Sequence, residues 1–246
     1  MAVLPLCRLA LASLLALLAN LSPPAAAQSS TDTAAGGAQA RAEALDRARS
    51  AMVAVLSEAV DEAGSIATLG ALRRGSGVVI GDDGLVLTIG YLILEAERVD
   101  LVVEGARRVP ARVVAYDLAS GFGLLQALAP LRVAPVALGR STSASGDEPL
   151  MVASGGAEGE LSLARLVSQR AFSGYWEYHI DAALFTVPPR TDHSGAGLFN
   201  LDGELLGIGS LVVSMRLAGL AVSGYRQIGG FLVPSTAAAI GAVLLP

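Results

Sequence analysis

Short apolar segments separated by turn-forming residues follow one another along most of the chain after position 50. Within 51–134 this pattern predicts six strands, two of which flank the turn Gly81, Asp82, Asp83 and Gly84, a typical hairpin signal. The predicted strands are Met52–Leu56, Ser76–Ile80, Leu85–Thr88, Val99–Val103, Arg107–Tyr116 and Phe122–Leu128. Pro130–Pro135 is predicted to be a crossover into a second group of strands.

The second group, within 135–246, also predicts about six strands. They are Val136–Leu138, Leu150–Ala153, Leu161–Ser168, Tyr175–Val187, Leu205–Ser214 and Gly230–Val233. Ser235 is a suitable cap for a final short helix over Thr236–Leu244. Two runs of short strands with few helices indicate an all-β protein, either a pair of antiparallel barrels or a β-sandwich. The pattern alone does not distinguish these two architectures.

The first residues have the pattern of an export signal. An apolar run over Leu9–Leu21 follows Arg8, and small residues at 25–27 predict cleavage after Ala27. The run is shorter than the roughly 20 residues that a membrane-spanning helix needs, so no span is expected after cleavage. Residues 28–38 predict a flexible leader, and the Ala-rich stretch 39–49 predicts a short helix that completes the segment 28–50. We therefore expect an exported protein, in a bacterial periplasm or outside the cell.

Charge and cysteine content narrow the function further. The net charge is −5 and no cluster of basic residues exceeds a pair, which argues against a nucleic-acid partner. The single cysteine, Cys7, lies in the predicted signal, so no disulfide is expected in the mature chain. The acidic residues Asp82, Asp83 and Asp202 fall in predicted turns, where aspartate is locally favoured. We expect no metal site and no cofactor.

Five stretches, in order, resemble the HtrA/Deg-type trypsin-fold serine proteases: 75–80, 83–88, 110–117, 192–209 and 230–235. The third, Pro-Ala-Arg-Val-Val-Ala-Tyr-Asp, is similar to the family's Pro-Ala-Lys-Val-Val-Gly-x-Asp. The fourth begins Asp-His-Ser-Gly-Ala-Gly-Leu, where the family has Gly-Asn-Ser-Gly-Gly. The resemblance implies the trypsin-like fold of two six-stranded antiparallel β-barrels with a short C-terminal helix. No peptide-binding PDZ module is expected after it.

The resemblance carries over to the site residue by residue. It puts Ser194 at the nucleophile position, with Gly195 behind it, but Tyr91 at the position of the general-base histidine. A tyrosine titrates near 10, so it is a poor proton acceptor at neutral pH. Gly121 takes the position of the aspartate that orients the base. A packing role is the simple interpretation of Tyr91.

The oxyanion hole of the family uses the backbone N–H groups of the serine and of the residue two before it. Here that residue is Asp192 in place of a glycine, and a carboxylate beside an oxyanion is electrostatically unfavourable. His193 takes the family's Asn position, and neighbouring residues in a turn seldom direct their side chains at each other. The other histidine, His179, falls on a predicted strand. Neither is expected to act as a base.

These residues leave three hypotheses. The first is a catalytically inactive pseudoprotease that binds peptides or regulates a protein partner, since a trypsin-fold cleft grips extended chains without needing a base. The second is a weakly active serine endopeptidase or hydrolase that uses Ser194 with an unidentified base. The third is a structural or assembly subunit. An aromatic cluster of Tyr175, Trp176 and Tyr178 is expected to pack or to line a peptide groove.

Overall fold

The computed structural model describes residues 25–103, 106–156, 159–173, 179–214 and 221–227. Two helices, α1 (Ala25–Ser50) and α2 (Ile66–Leu69), accompany twelve strands in these ranges. The strands of the first half are β1 (Met52–Ala59), β2 (Leu72–Val79), β3 (Leu85–Ile89), β4 (Ala96–Val103), β5 (Arg107–Tyr116) and β6 (Phe122–Ala127). Those of the second half are β7 (Pro149–Ala153), β8 (Leu161–Ser173), β9 (His179–Val187), β10 (Gly197–Phe199), β11 (Leu205–Ser214) and β12 (Ala221–Gln227).

The first six strands form a closed antiparallel barrel in the order β1-β2-β3-β6-β5-β4, with β4 returning to pair with β1. All six were predicted, most of them with shorter bounds. Alternate side chains point inward and build an apolar core that includes Val53, Val78, Ile89, Leu101 and Leu125. The barrel architecture, rather than the β-sandwich, is confirmed.

The second six strands form a closed barrel in the order β10-β11-β12-β9-β8-β7, with β7 pairing with β10. Residues 136–138 were wrongly predicted as a strand, since only Leu138 makes a single bridge, to Leu205. The remaining two positions of the barrel are taken by β10 and β12, neither of which was predicted from the sequence. The predicted strand Gly230–Val233 and the helix Thr236–Leu244 lie outside the described residues.

The two barrels share a buried cluster. Met151, Phe199 and Ile208 of the second barrel pack into the same cluster as the core of the first. Polar contacts follow the same seam, because the hydroxyl of Ser76 on β2 accepts a hydrogen bond of 2.9 Å from the N–H of Gly155. A fixed seam of this kind lets residues from both barrels meet at one site.

The N-terminal segment corrects one expectation. Residues 28–38, predicted to be a flexible leader, lie within α1, which continues without interruption into the predicted helix. Alanine is abundant here and no proline follows Pro24 before Pro110, and the helix runs through Gly36 and Gly37 although glycine disfavours a helix interior. Near its end Ala44 and Ala48 are buried. Residues 1–24, most of the predicted signal, lie outside the described residues, and no helix in the described part is long and apolar enough to cross a membrane.

Candidate active site

The loop that carries Ser194 connects β9 to β10 and rests on the first barrel. The backbone N–H of Ser76 donates a 2.8 Å hydrogen bond to the carbonyl oxygen of Ser194. The N–H of Gly195 donates to Gly209 at 2.9 Å, which ties the loop to β11. These bonds fix the backbone of Ser194 from both barrels.

Gly195 is the residue that allows this close approach. Its φ is +77°, a left-handed conformation that side chains disfavour, and a Cβ there would lie 1.9 Å from the carbonyl oxygen of Ser76. Only glycine fits both constraints. A glycine at this position therefore allows the serine loop to rest on β2.

Tyr91 contacts Ser194 directly. It lies on a short 3₁₀ turn, Gly90–Leu92, which follows β3, and its hydroxyl is 2.7 Å from the Oγ of Ser194. The same hydroxyl is 2.8 Å from the carbonyl oxygen of Ser210. The tyrosine thus reaches across the seam to two points on the second barrel.

The proton arrangement follows from the donors available. A phenol has one proton, and a carbonyl oxygen can only accept. The proton of Tyr91 therefore goes to Ser210, and the proton of Ser194 is donated to the phenol oxygen. Because a neutral phenol oxygen is a very weak base, this contact satisfies the hydroxyl of Ser194 without activating it.

Ser210 is placed for this bond by an irregularity in β11. The register between β11 and β12 shifts between Gly209 and Leu211, so Ser210 is the extra residue of a bulge. The Ser210 residue is buried. Bonding to Tyr91 gives its carbonyl a partner inside the seam.

Gly121 lies beside the turn of Tyr91. Its carbonyl oxygen accepts a 2.8 Å hydrogen bond from the N–H of Gly90, the residue before Tyr91. Its φ is +70°, which most side chains avoid. The position at which the resemblance expects an orienting carboxylate is thus next to Tyr91 and has no side chain.

Asp192 is held by an ion pair within its own loop. The buried guanidinium of Arg190 donates from Nε to Oδ1 at 2.9 Å and from Nη2 to Oδ2, and the hydroxyl of Ser154 also donates to Oδ2. Partial burial alone would raise the pKa of Asp192, but the hydrogen bonds and charge of Arg190 and the bond from Ser154 outweigh it and hold the pKa below its usual value. The carboxylate is therefore charged at neutral pH.

The same aspartate affects the expected oxyanion hole. The backbone N–H of Asp192 is one of the groups that lower the pKa of its own carboxyl, so this N–H interacts with that carboxylate. Asp192 is also absent from the non-glycine residues with positive φ in the described ranges. The carboxylate next to this N–H is charged, which disfavours a developing oxyanion at the same place.

Both histidines of the chain have partners other than Ser194. The Nδ1 of His193 lies 3.0 Å from the carbonyl oxygen of Arg190 and, since a carbonyl only accepts, Nδ1 carries a proton. His179 is exposed on β9, with its Nδ1 2.8 Å from the hydroxyl of Ser173 and its Nε2 3.4 Å from Asp181. Within the described residues, neither imidazole forms a hydrogen bond with Ser194.

A family model described as a trypsin-like peptidase domain matches residues 75–208, a range that contains Tyr91, Gly121 and Ser194. The chain belongs to this family. The chain is 27% identical over 167 residues to the periplasmic pH-dependent serine endoprotease DegQ of Escherichia coli K12. The alignment covers 67% of this chain and 35% of DegQ. The periplasmic serine endoprotease DegP of the same organism is 27% identical over 172 residues, 67% of this chain and 34% of DegP. This trypsin-like peptidase domain therefore spans about a third of the length of these curated relatives.

Solved structures show the same fold. The HtrA-type protease AlgW with a tripeptide superposes with a TM-score of 0.65 at 15% identity, covering 83% of this chain and 63% of AlgW. The Rv3671c protease of M. tuberculosis in its active form has a TM-score of 0.62 at 18% identity, covering 82% of this chain and 83% of that protein. This chain has the trypsin fold and is similar to the HtrA-type proteases.

Several residues of the site in this trypsin-like peptidase domain were not found from the sequence. Neither Ser210 nor Ser154 could be recognised from the sequence. Every residue has a backbone carbonyl, and a single serine outside a motif does not indicate a functional site. Arg190 could have been found, since an arginine two residues before an aspartate in one loop is a ready ion pair. The predicted cluster of Tyr175, Trp176 and Tyr178 lies outside the described residues. Within the described residues no group of His, Cys, Asp and Glu side chains could hold a metal ion.

Proposed function

We propose that this chain is an exported HtrA-like trypsin-fold protein that is catalytically inactive and acts by binding a peptide or a protein partner. In this proposal Ser194 is a vestigial nucleophile, Tyr91 occupies the position of the base and Gly121 that of the orienting acid. Asp192, His193 and Gly195 form the loop that once served the oxyanion hole.

The contact between Tyr91 and Ser194 carries the proposal. A serine needs an adjacent base to become nucleophilic at neutral pH, and the phenol 2.7 Å away is a poor one. Neither imidazole forms a hydrogen bond with Ser194 within the described residues. Asp192 has a lowered pKa and is therefore an even weaker base than an ordinary carboxylate.

The rate expected after loss of the base is negligible. Removing the histidine or serine costs about 10⁶ in kcat. Applied to a typical turnover of about 1–10³ s⁻¹, this factor leaves at most about one event in a quarter of an hour. Binding does not need the base, so it is the function that survives its loss.

A peptide or an unfolded segment is the favoured class of partner. Proteases of this fold hold extended chains by adding them as a strand to a barrel edge. The related AlgW has been solved with a tripeptide and with a decapeptide. DegQ and DegP are named as periplasmic proteins, and together with the signal-like residues 1–27 this supports export to the same compartment.

A library of fluorogenic peptides tests this function, because it reports capture and cleavage in one assay. The expected result is saturable binding of a subset of peptides without cleavage, unchanged in the Ser194→Ala variant. Cleavage that disappears in Ser194→Ala would instead establish the alternative, a weakly active serine endopeptidase or hydrolase. Neither binding nor cleavage would favour a structural or assembly subunit.

A further inference from the structure

A buried arginine supports the turn that carries Tyr91. Arg73 lies on β2 with only 6% of its surface exposed. Its Nη1 donates to the carbonyl oxygen of Tyr91 at 3.1 Å and also to that of Leu94. Its Nε donates to Gly70 at 3.1 Å, and its Nη2 to the hydroxyl of Ser65 at 2.6 Å. One guanidinium thus joins two loops of the first barrel.

The hydrogen bonds of a buried guanidinium must offset the free-energy cost of removing its charge from water. Burial lowers the pKa of Arg73, and the more distant charge of Glu95 offsets this only in part. None of these four hydrogen bonds goes to a carboxylate. Substituting an apolar residue of similar size would remove the desolvation cost altogether, so the four bonds are the gain that the arginine provides.

The loop around Ser65, which Arg73 joins to the turn of Tyr91, is itself held by hydrogen bonds. A carboxylate oxygen of Glu95 accepts a 2.9 Å hydrogen bond from the N–H of Ser65. Bonds from the hydroxyl and N–H of Ser65 are the main causes that keep the pKa of Glu95 below its usual value. Glu95 itself has a φ of +54°, an uncommon conformation for this residue type. The turn after Tyr91 and the loop around Ser65 are therefore held against each other, with Arg73 between them.

We propose that Arg73 is the positioning residue of Tyr91, which holds the 3₁₀ turn so that the phenol reaches Ser194 and Ser210. Ser57 also braces this turn, through a hydrogen bond to the carbonyl of Leu92. Arg73 is the residue that bonds the carbonyl of Tyr91 itself. The five donors of a guanidinium, in a planar fork, suit several fixed carbonyl groups better than the single ammonium of a lysine.

The test measures the accessibility of the Tyr91 phenol in the whole protein. Tyrosines are acetylated with N-acetylimidazole and the Tyr91 site is quantified by mass spectrometry. Added N-acetyltyrosine amide is the reference, because the ring of Tyr116 packs on Gly90 of the same turn. In Arg73→Ala the acetylation of Tyr91 relative to this reference should rise about tenfold, the factor that corresponds to one hydrogen bond from a charged donor. Arg74→Ala, an exposed neighbour on the same strand, is the matched control and should leave the ratio unchanged.

Chemical rescue separates positioning from general loosening. Methylguanidinium at millimolar concentration should fill the space left in Arg73→Ala and restore the protection of Tyr91, whereas sodium chloride at the same ionic strength should not. Unchanged acetylation in folded Arg73→Ala would overturn the assignment, as would an increase that methylguanidinium leaves in place or that Arg74→Ala shares.

A second variant applies if Arg73→Ala does not fold. Ser65→Ala removes one acceptor of Arg73 at the surface and keeps the buried charge. It should raise the acetylation of Tyr91 only about two- to threefold, because the bonds of Arg73 to the carbonyl oxygens of Tyr91 and Leu94 remain. No change in this variant would overturn the assignment. The result does not depend on whether Ser194 is inactive, because only the tyrosine is measured.

Discussion

The phenol oxygen of Tyr91 lies 2.7 Å from the hydroxyl oxygen of Ser194, although 103 positions separate the two residues in the sequence. One comes from a turn of the first barrel and the other from a loop of the second. The contact occupies the seam where a trypsin-like peptidase domain is expected to do its chemistry. It joins the barrels, and it gives the serine a hydrogen-bond partner that is a poor acceptor of its proton.

The first prediction concerns the stability that this contact supplies. Tyr91→Phe keeps the ring but leaves the Ser194 hydroxyl and the buried Ser210 carbonyl without the phenol, which should lower the free energy of unfolding by about 1–3 kcal/mol. Chemical denaturation measures the change. Tyr116→Phe, at a half-exposed tyrosine, is the control and should stay within about 0.5 kcal/mol of the wild type. Equal effects of the two substitutions would contradict the proposed bonds.

The second prediction concerns the ion pair of Asp192 and its pH dependence. Because the pKa of Asp192 is lowered in the folded state, its stabilising contribution is fully present above the unfolded value of about 3.9. It is lost as the pH falls through the lower folded pKa. Asp192→Asn should therefore be less stable than the wild type at neutral pH, and the difference should shrink as the pH falls below about 4.

Thermal unfolding across this pH range measures the effect. The control is Asp202→Asn, at an exposed turn residue, which should show little difference at any of these pH values. A gap between wild type and Asp192→Asn that stays constant down to the most acidic condition would show that the carboxylate is not stabilised by Arg190 and Ser154.

The third prediction concerns the shape of the serine loop. Gly195→Ala would place a Cβ 1.9 Å from the Ser76 carbonyl oxygen at a φ of +77°, so the loop must move. The cost should exceed about 2 kcal/mol. Gly64→Ala is the matched control, since the nearest atom to its added Cβ is 4.0 Å away. A folded Gly195→Ala as stable as this control would mean that the loop does not rest on β2.

The sequence predicted the first barrel well because its strands are apolar and bounded by clear turns. It missed β10, whose three residues Gly197–Phe199 are too few for a periodic pattern, and β12, whose Ser and Gly residues have low strand propensity. It also predicted a strand at 136–138. These three apolar residues lie beside the barrel but do not form a continuous set of strand hydrogen bonds. In such short segments tertiary packing, rather than local pattern, decides the outcome.

At the site, motif spacing predicted which residues belong together, and the structure brings Tyr91, Gly121 and Ser194 to one seam. The expectation that Tyr91 merely packs was incomplete, because its hydroxyl bonds to Ser194 and Ser210. No residue pattern indicates the carbonyl of a β-bulge as a partner. The role of Arg73 was equally hidden, since an arginine on a strand predicts an exposed side chain unless its acceptors are known.

The fourth prediction restores a base. Tyr91→His should give Ser194 an imidazole acceptor at the same place and raise its labelling by a fluorophosphonate probe about 10- to 100-fold, less than a general base usually contributes because no carboxylate orients it. Adding Gly121→Asp should increase labelling further, since aspartate tolerates a φ of +70° better than most residues. Tyr116→His is the control and should have no effect. A folded double variant without labelling would mean that these positions do not face one another productively.

The central claim is that no base strong enough to deprotonate Ser194 lies beside it. The most direct test measures how fast the wild-type protein is phosphonylated at Ser194 as a function of pH. The account predicts labelling of Ser194 no faster than that of other serines, with no step near the imidazole pKa of about 6.5. A rapid reaction at Ser194 that rises through that pH and is abolished by Ser194→Ala would contradict it.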